Sequence, residues 1–326
     1  MDPVSRMRTM INGYQVSQAL SVAARLGLPD LLVDGPRTVD DLAGATGTHS
    51  PTLLRLMRAL AAVGVFERSE NGRFGLTDLG ATLRRDAPHS IAGWAEFIGR
   101  PYYTQAWAAL GESVRTGDNA FGLVHGTTIW AYRASRPDEQ LLFDRAMGAL
   151  SGAVVEAVAR TYDFGRVGTV VDVGGGRGAL LTAILAEHPG VHGVLFDQPE
   201  AVAGLEGGDR WSVVGGDFFT AVPDDGDAYL LKAVIHDWPD DESVAILRTC
   251  RKAIRESGRL LLIEQLLDQA PDAVRTAFSD LNMLVAPGGR ERELSEYGAL
   301  LSAAGFRLDR AIPTGTDVFV IEAVPV

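Results

Sequence analysis

The feature that most constrains the fold is an alternation of short β-rich runs with helical segments after Gly168. Four runs are rich in branched and aromatic residues, TVVDVGG, VHGVLFD, DAYLLKAVI and RLLLIEQ, and helical patterns separate them. Strands that alternate with helices build βαβ units, in which the strands lie parallel. The sequence therefore predicts an α/β fold with a Rossmann-like, mainly parallel sheet in this half of the chain.

The N-terminal part of the chain has a different pattern. From Ser5 to about Ala87, apolar residues recur at three- and four-residue spacing, which is typical of amphipathic helices. The Asn71-Gly72 pair lies between two short strand-like runs and predicts a β-hairpin. Helices followed by a hairpin predict a winged-helix domain. We assign residues 1–92 to this domain, 93–160 to a helical segment that forms the substrate pocket, and 161–326 to the Rossmann-like core.

A winged helix raises the alternative of a DNA-binding regulator. Between Gly35 and Asp86 the chain has seven basic and six acidic residues, and its formal net charge is −12. Nucleic-acid binding domains normally carry a clustered basic surface. We therefore expect no nucleic-acid partner. Because the amphipathic helices would expose a large apolar face in a monomer, we predict a homodimer.

Other sequence patterns bear on location. No apolar run approaches the roughly 18 residues of a membrane helix, and the N-terminal residues lack the pattern of a secretory signal. A single cysteine, Cys250, is typical of a reducing compartment. These patterns predict a cytoplasmic protein without a membrane partner.

The densest motif is the glycine-rich turn VDVGGGRG. A strand ending at Val173 leads through this turn into a helix, and the next strand ends at Asp197. Glycine lets the backbone approach a ligand, and a carboxylate at the end of the second strand can accept hydrogen bonds from ribose hydroxyls. Tight turns also need glycine for steric reasons alone. The placement of Asp197 favours the binding of a nucleotide-like cofactor.

The glycine spacing separates two classes of cofactor. Gly174, Gly176 and Gly178 follow G-x-G-x-G, whereas the dinucleotide fingerprint is G-x-G-x-x-G with a turn that faces a pyrophosphate. S-Adenosylmethionine has no phosphate. Asp217 is predicted to end a third strand, where its carboxylate can accept from an adenine amino group while Phe218 flanks the base; a loop acid beside a core phenylalanine is the alternative. We expect S-adenosylmethionine, and an NAD-dependent oxidoreductase is the alternative.

Six motifs occur in a specific order: VDVGGGRG, FDQP, GGDFF, LKAVIHDW, LLLIEQ and APGGRERE. On these motifs nearly the whole chain resembles the S-adenosylmethionine-dependent small-molecule O-methyltransferases, which include plant caffeic acid O-methyltransferases and bacterial enzymes of aromatic polyketide tailoring. The resemblance implies a class I methyltransferase domain and an N-terminal domain that interlocks two subunits. It implies methyl transfer to a hydroxyl, expected to be phenolic, of an aromatic secondary metabolite, with S-adenosylhomocysteine as product. Some bacterial relatives use this fold for hydroxylation, decarboxylation or pericyclic chemistry, which is the alternative function.

The resemblance also implies roles for individual residues. It makes His236 the general base, with Glu264 and Glu291 beside it. Seven residues are expected at the cofactor: Ser151, Gly174, Gly176, Asp197, Asp217, Phe218 and Lys232. Four are expected on the wall of the pocket for a small aromatic substrate: Phe143, Met147, Asn282 and Met283.

The residue types support a catalytic histidine. His236 ends one β-rich run and Glu264 ends the next, and ligands of such sheets bind outside the carboxyl ends of the strands. A neutral imidazole, with an ordinary pKa of about 6.5, can remove a phenolic proton near neutral pH. A carboxylate on its other nitrogen would fix the tautomer, and Glu264 and Glu291 are both candidates. A histidine that caps the following helix is the alternative.

We expect no metal site. Asp240, Asp241 and Glu242 follow Pro239, where acids in the first turn of a helix complement its dipole. The histidines other than His236 show no ligand spacing with cysteine or acids.

Overall fold

The computed structural model describes residues 2–326. The chain divides into two compact units, one made of residues up to Thr104 together with Arg136–Leu150, the other of Gln105–Ser135 together with Ser151–Val326. The boundaries at residues 92 and 160 stay a prediction. Within residues 2–326, none of the helices combines the length and the apolar composition that a membrane crossing requires. The cytoplasmic location also stays a prediction.

The helices are α1 Pro3–Ile11, α2 Gly13–Leu26, α3 Leu28–Leu31, α4 Val39–Thr46, α5 Ser50–Ala62, α6 Asp78–Ala81, α7 Ala92–Ile98, α8 Pro101–Ala108, α9 Leu110–Thr116, α10 Ala120–His125, α11 Ile129–Ala134, α12 Pro137–Thr161, α13 Ala179–Glu187, α14 Asp240–Ala253, α15 Ala273–Val285 and α16 Leu294–Ala303, with 3₁₀ turns at Phe164–Arg166 and Ile235–Asp237. The strands are β1 Phe66–Arg68, β2 Phe74–Leu76, β3 Thr169–Val173, β4 His192–Asp197, β5 Trp211–Gly215, β6 Ala228–Lys232, β7 Arg259–Glu264, β8 Phe306–Pro313 and β9 Phe319–Pro325.

The first unit contains the predicted hairpin. Strands β1 and β2 pair antiparallel, and Gly72 between them has φ +81°, a conformation that glycine adopts without a steric penalty. The helices α2, α4 and α5 bury leucine, alanine and methionine side chains against this hairpin. Helix α1 buries no residue, and Val4, Met7 and Met10 are exposed on it. This apolar surface agrees with the expectation that the N-terminal helices contact a partner subunit.

The second unit is built on a seven-stranded sheet of order β5-β4-β3-β6-β7-β9-β8. Neighbouring strands from β5 to β7 are parallel, whereas β9 runs antiparallel to both β7 and β8. The predicted α/β fold with a mainly parallel sheet is confirmed. The strand order reverses between β3 and β6, and in such sheets the ligand crevice opens at the carboxyl ends of the two strands at this point.

Apolar packing on both faces of the seven-stranded sheet explains why the sequences of its central strands are continuous apolar runs. Tyr229, Leu230 and Leu231 in β6 are fully buried, as are Leu261 and Leu262 in β7. Parallel strands that are covered on both sides lose the alternating pattern of half-buried strands. Burial of one such leucine stabilises the fold by about 1.5–3 kcal/mol.

Two strands end earlier than the sequence predicts. Strand β6 ends at Lys232, and Ala233 breaks it with φ +54°, so His236 lies in the 3₁₀ turn rather than at the strand end. Strand β5 ends at Gly215, and Asp217 lies in the following turn. After β6 the apolar pattern continues past the strand because Val234 and Ile235 are buried although they lie outside it.

Candidate active site

The glycine-rich turn follows β3 at the carboxyl edge of the sheet. Gly174 and Gly176 have positive φ, and the N–H of Gly176 donates to Asp197 Oδ2 at 2.7 Å. A Cβ built on Gly175 would lie 2.6 Å from Asp172 Cγ, so no larger residue fits there without displacing its neighbours. The hydrogen bond between Gly176 and Asp197 therefore joins the glycine-rich turn to the end of β4, as the motif predicts.

Asp172 is a buried acid that the sequence analysis did not single out. It lies in β3 with 1% exposure, and neither carboxylate oxygen has a hydrogen-bond partner among residues 2–326. Burial raises its pKa to about 7, and the nearby Lys232 ammonium opposes this shift. The signal was present in TVVDV, because an acid inside a buried strand is costly unless something pairs with it.

Lys232 lies at the end of β6 and donates from Nζ to Ser151 Oγ at 3.1 Å. Burial lowers the pKa of this ammonium, and the Asp172 carboxylate opposes the shift. Lys232 thus lies near both Ser151 and Asp172, at the point where the strand order reverses. Two of them, Ser151 and Lys232, were expected at the cofactor.

Asp217 and Phe218 lie in the turn after β5. The Asp217 carboxylate accepts from the N–H of Phe219 at 3.0 Å and from Thr220 Oγ1 at 3.2 Å. The rings of Phe218 and Phe219 both contact Trp238 edge-on, with centroids 6.0 and 4.8 Å apart. An aromatic cluster therefore links this turn to the segment that carries His236.

These residues fit S-adenosylmethionine on structural grounds. The glycine turn brings the backbone to the edge of the sheet, where larger side chains would collide. The buried Asp172 carboxylate has no hydrogen-bond partner among residues 2–326, although the Lys232 ammonium lies near it. Asp197, at the end of β4, is placed as a ribose acceptor would be.

His236 and Glu264 form a close pair. His236 Nδ1 lies 2.7 Å from Glu264 Oε2, and the imidazole is 14% exposed while the Glu264 side chain is fully buried. The other oxygen of Glu264 accepts from the backbone N–H groups of Val234 at 3.2 Å and Ile235 at 2.9 Å. Glu264 thus holds both the imidazole and the backbone that precedes it.

Glu291 approaches the same imidazole without a hydrogen bond. Its Oε2 is 3.8 Å from His236 Nδ1 and has no hydrogen-bond partner among the described residues, whereas Oε1 accepts from Ser279 Oγ at 2.7 Å. Of the two glutamates that the sequence left open, Glu264 is the one within hydrogen-bond distance of His236. Glu291 adds negative charge beside it.

The carboxylates determine the charge of the imidazole. Burial alone would lower the pKa of His236, but Glu264 and Glu291 outweigh it and raise the pKa to about 10. Burial raises the pKa of Asp237, whose Oδ1 is 3.6 Å from His236 Nε2, to about 6. Burial also raises the pKa of Glu291. The ordinary value of 6.5 assumed from the sequence is therefore not the value that the folded protein imposes.

The cluster of His236, Glu264 and Glu291 has the composition of a metal site, with ligand atoms within 4.8 Å of one another. Most of the carboxylate oxygens of this cluster already accept hydrogen bonds, however. Both oxygens of Glu264 and one of Glu291 accept hydrogen bonds from protein groups. A cation would have to displace these donors, so the arrangement favours a hydrogen-bonded network.

The four expected substrate residues fall in different units. Asn282 and Met283 lie on α15 in the second unit, where Met283 is 8% exposed. Phe143 and Met147 lie on the part of α12 that groups with the first unit, and the Phe143 ring contacts Phe97 at 5.6 Å. Their role at the substrate stays a prediction.

Known protein families match both parts of the chain. The O-methyltransferase domain matches residues 107–307, and the O-methyltransferase dimerisation domain matches residues 9–86. The chain belongs to this O-methyltransferase family. Its methyl donor is S-adenosylmethionine, as predicted, and the dimerisation domain confirms the predicted homodimer.

Individual relatives resemble this O-methyltransferase over almost its full length. The phenazine O-methyltransferase of Lysobacter antibioticus is 42% identical over 97% of this chain and 95% of its own. The mitomycin biosynthesis 6-O-methyltransferase of Streptomyces lavendulae is 42% identical over 94% of this chain and 90% of its own. A solved O-methyltransferase from neocarzinostatin biosynthesis, in complex with S-adenosylmethionine and 2-hydroxy-5-methyl naphthoic acid, has TM-score 0.82 and 35% identity over 95% of this chain and 96% of its own.

The position of Asp197 leads to a prediction for cofactor affinity. In Asp197→Ala, the O-methyltransferase should bind S-adenosylmethionine about 10- to 100-fold more weakly, the scale of one or two hydrogen bonds to a charged group. Isothermal titration calorimetry measures this, with Asp209→Ala, an exposed acid in the loop before β5, as the control. Equal affinity in Asp197→Ala and the wild type would remove Asp197 from the cofactor site.

Proposed function

We propose that this O-methyltransferase methylates a phenolic hydroxyl of an aromatic secondary metabolite, with His236 as the general base. The observation that carries the proposal is the contact between His236 Nδ1 and Glu264 Oε2 at 2.7 Å. A carboxylate in this position accepts the Nδ1 proton, so the neutral imidazole has its lone pair on Nε2. The base would be Nε2.

The raised pKa of His236 suits a phenolic acceptor. An imidazole with a pKa of about 10 and a phenol with an ordinary pKa of about 10 exchange a proton at little free-energy cost in either direction. Buried Glu264 and Glu291 stabilise the imidazolium that forms. The proton can therefore move from the phenol to the imidazole without a large free-energy cost.

The other residues of the site orient S-adenosylmethionine and exclude water, and they form no bond to the reacting groups. Bound S-adenosylmethionine supplies an electrophilic methyl group, so no covalent bond to the protein is required. We infer that Asp172, Asp197 and Lys232 hold its polar groups, and that the aromatic cluster of Phe218 and Trp238 excludes water nearby. Catalysis then depends on proximity, orientation and one proton transfer.

The acceptor class can be tested directly. The relatives are named for phenazine and mitomycin substrates, and one is solved with a naphthoic acid. We expect the enzyme to transfer a trideuteromethyl group from labelled S-adenosylmethionine to a hydroxylated member of a panel of phenazines, naphthoates and quinone-derived phenols, detected by mass spectrometry. Amino analogues of the same rings serve as controls. Label transfer to the amines alone, or product formed without the label, would contradict the proposal.

A further inference from the structure

Arg292 is a charged residue in the core of the second unit. Its side chain is fully buried, which is rare for arginine without strong partners. The guanidinium donates to the carbonyl oxygens of Ile235 at 3.1 Å and Trp238 at 2.8 Å, and to Asp240 Oδ1 at 2.8 Å. The two carbonyls lie on either side of His236 and Asp237 in the chain. Arg292 therefore joins both ends of the short segment that contains the proposed base.

Ser243 contacts the same two carbonyls. Its hydroxyl lies 3.3 Å from Ile235 O and 3.2 Å from Trp238 O, and Arg292 Nη2 is 3.4 Å from Ser243 Oγ. Ser243 is also fully buried. The carbonyl side of the segment is thus held by a guanidinium and a hydroxyl that contact each other.

Gly289 packs against the same segment from the loop that precedes Arg292. A Cβ at this position would lie 2.1 Å from His236 O and 2.4 Å from the carbonyl carbon of Asp237. On the opposite side, Glu264 accepts the N–H groups of Val234 and Ile235. The backbone around His236 is therefore restrained from its N–H side by Glu264 and from its carbonyl side by the loop that contains Arg292.

We propose that Arg292, together with Ser243, is a positioning residue for His236. A single 3₁₀ turn has little support of its own, because only its i to i+3 bonds, such as Asp237 N to Val234 O at 3.1 Å, hold it together. Rotation of this turn would separate the imidazole from Glu264 and from the acceptor. A displacement of about 1 Å is enough to lower a rate about 10²-fold. The catalytic part of this inference rests on the proposed function of His236.

The test compares Arg292→Lys and Ser243→Ala with Arg290→Ala. Lysine keeps the charge but cannot reach both carbonyls and Asp240 with one planar group. Ser243→Ala removes the hydroxyl that contacts the Ile235 and Trp238 carbonyl oxygens, and it changes the side-chain volume little. Arg290 is the matched control, because it pairs with Asp240 and Glu296 but donates to neither carbonyl of the segment.

Two readouts separate positioning from a merely structural role. We expect kcat to fall about 10-fold or more in Arg292→Lys and less in Ser243→Ala, with unchanged affinity for S-adenosylmethionine and wild-type kinetics in Arg290→Ala. We also expect the NMR titration of the His236 imidazole, in histidine-labelled protein and assigned by its loss in His236→Gln, to move towards lower pH. The reason is that His236 would lie farther from Glu264, with Glu291 and Asp237 as its other acidic neighbours.

The outcomes distinguish this inference from the proposed function. If Arg292→Lys and Ser243→Ala lower the unfolding temperature but leave kcat and the His236 titration at wild-type values, Arg292 is structural only and the positioning role is wrong. If His236→Ala itself keeps wild-type turnover, the proposed base is wrong, and the NMR titration still decides whether Arg292 positions the imidazole.

Discussion

His236→Ala is expected to lower kcat about 10²- to 10⁴-fold at pH 7, which is the usual contribution of one acid–base group. In its neutral form the imidazole has its lone pair at Nε2, because Glu264 takes the proton on Nδ1. Since the pKa of His236 is about 10, most of the free enzyme carries the imidazolium at pH 7, and the base is the neutral fraction. Affinity for S-adenosylmethionine should change little, since the residues proposed to hold it lie at the ends of β3, β4 and β6. Steady-state kinetics and calorimetry on the same preparation measure both quantities.

Two variants control for the loss of a buried group. His236→Gln keeps an amide N–H that can donate to Glu264 but has no basic nitrogen, so its kcat should be as low as that of His236→Ala. His192→Ala removes an exposed imidazole at the start of β4 and should behave as the wild type. Full activity in His236→Gln would show that the imidazole only satisfies Glu264.

Glu264→Gln is expected to lower kcat about 10²-fold and to lower the free energy of unfolding by about 3 kcal/mol, as loss of one partner of a buried ion pair does. Glu264 is fully buried and accepts three hydrogen bonds, two of them from the backbone. A glutamine offers one oxygen, so its amide nitrogen must face either the imidazole or the two N–H groups. Kinetics and denaturant titration measure these effects, with Glu256→Gln, an exposed glutamate that follows α14, as the control.

The pH dependence of this stability loss has a definite sign. The folded protein holds the pKa of His236 at about 10, above its unfolded value of about 6.5. A raised pKa contributes stability that is fully present below the unfolded value and is lost as the pH rises through the folded value. The difference in unfolding free energy between wild type and Glu264→Gln should therefore shrink from pH 7 towards pH 10. A difference that grows over this range would contradict the ion pair.

The fold could be predicted because its signals are local. Glycines in VDVGGGRG, and polar residues that follow apolar runs, mark the turns at the carboxyl edge of a parallel sheet. The exact ends of strands could not be predicted in the same way. Val234 and Ile235 are as apolar as the leucines of β6, but they lie outside the strand because Ala233, with φ +54°, interrupts its extended backbone.

The site could be predicted in part. His236 follows β6 and Glu264 ends the neighbouring strand β7, so their proximity was expected. The choice between Glu264 and Glu291 depends on the register of the two strands, in which Lys232 pairs with Ile263. Glu291 belongs to a loop, and no sequence period fixes the direction of a loop side chain.

Other parts of the site depend on tertiary structure. The pKa of His236 depends on how many carboxylates surround it after folding. The burial of Arg292 could not be inferred from GGRERE, because a charged run usually lies in solvent. The partners of Arg292 lie about 50 residues away in the sequence, so only the folded structure identifies them.

The most direct test of His236 as the base is the ratio of wild-type to His236→Ala kcat/KM at pH 7 across acceptor phenols of different acidity. For a phenol with an ordinary pKa of about 10, the ratio should be about 10² to 10⁴. As the phenol pKa falls below the assay pH, the acceptor arrives ionised and needs no base, so the ratio should fall towards unity. A large ratio that is the same for all phenols would show that His236 orients the acceptor without taking its proton, and a ratio near unity for every phenol would show that it has no part in the reaction.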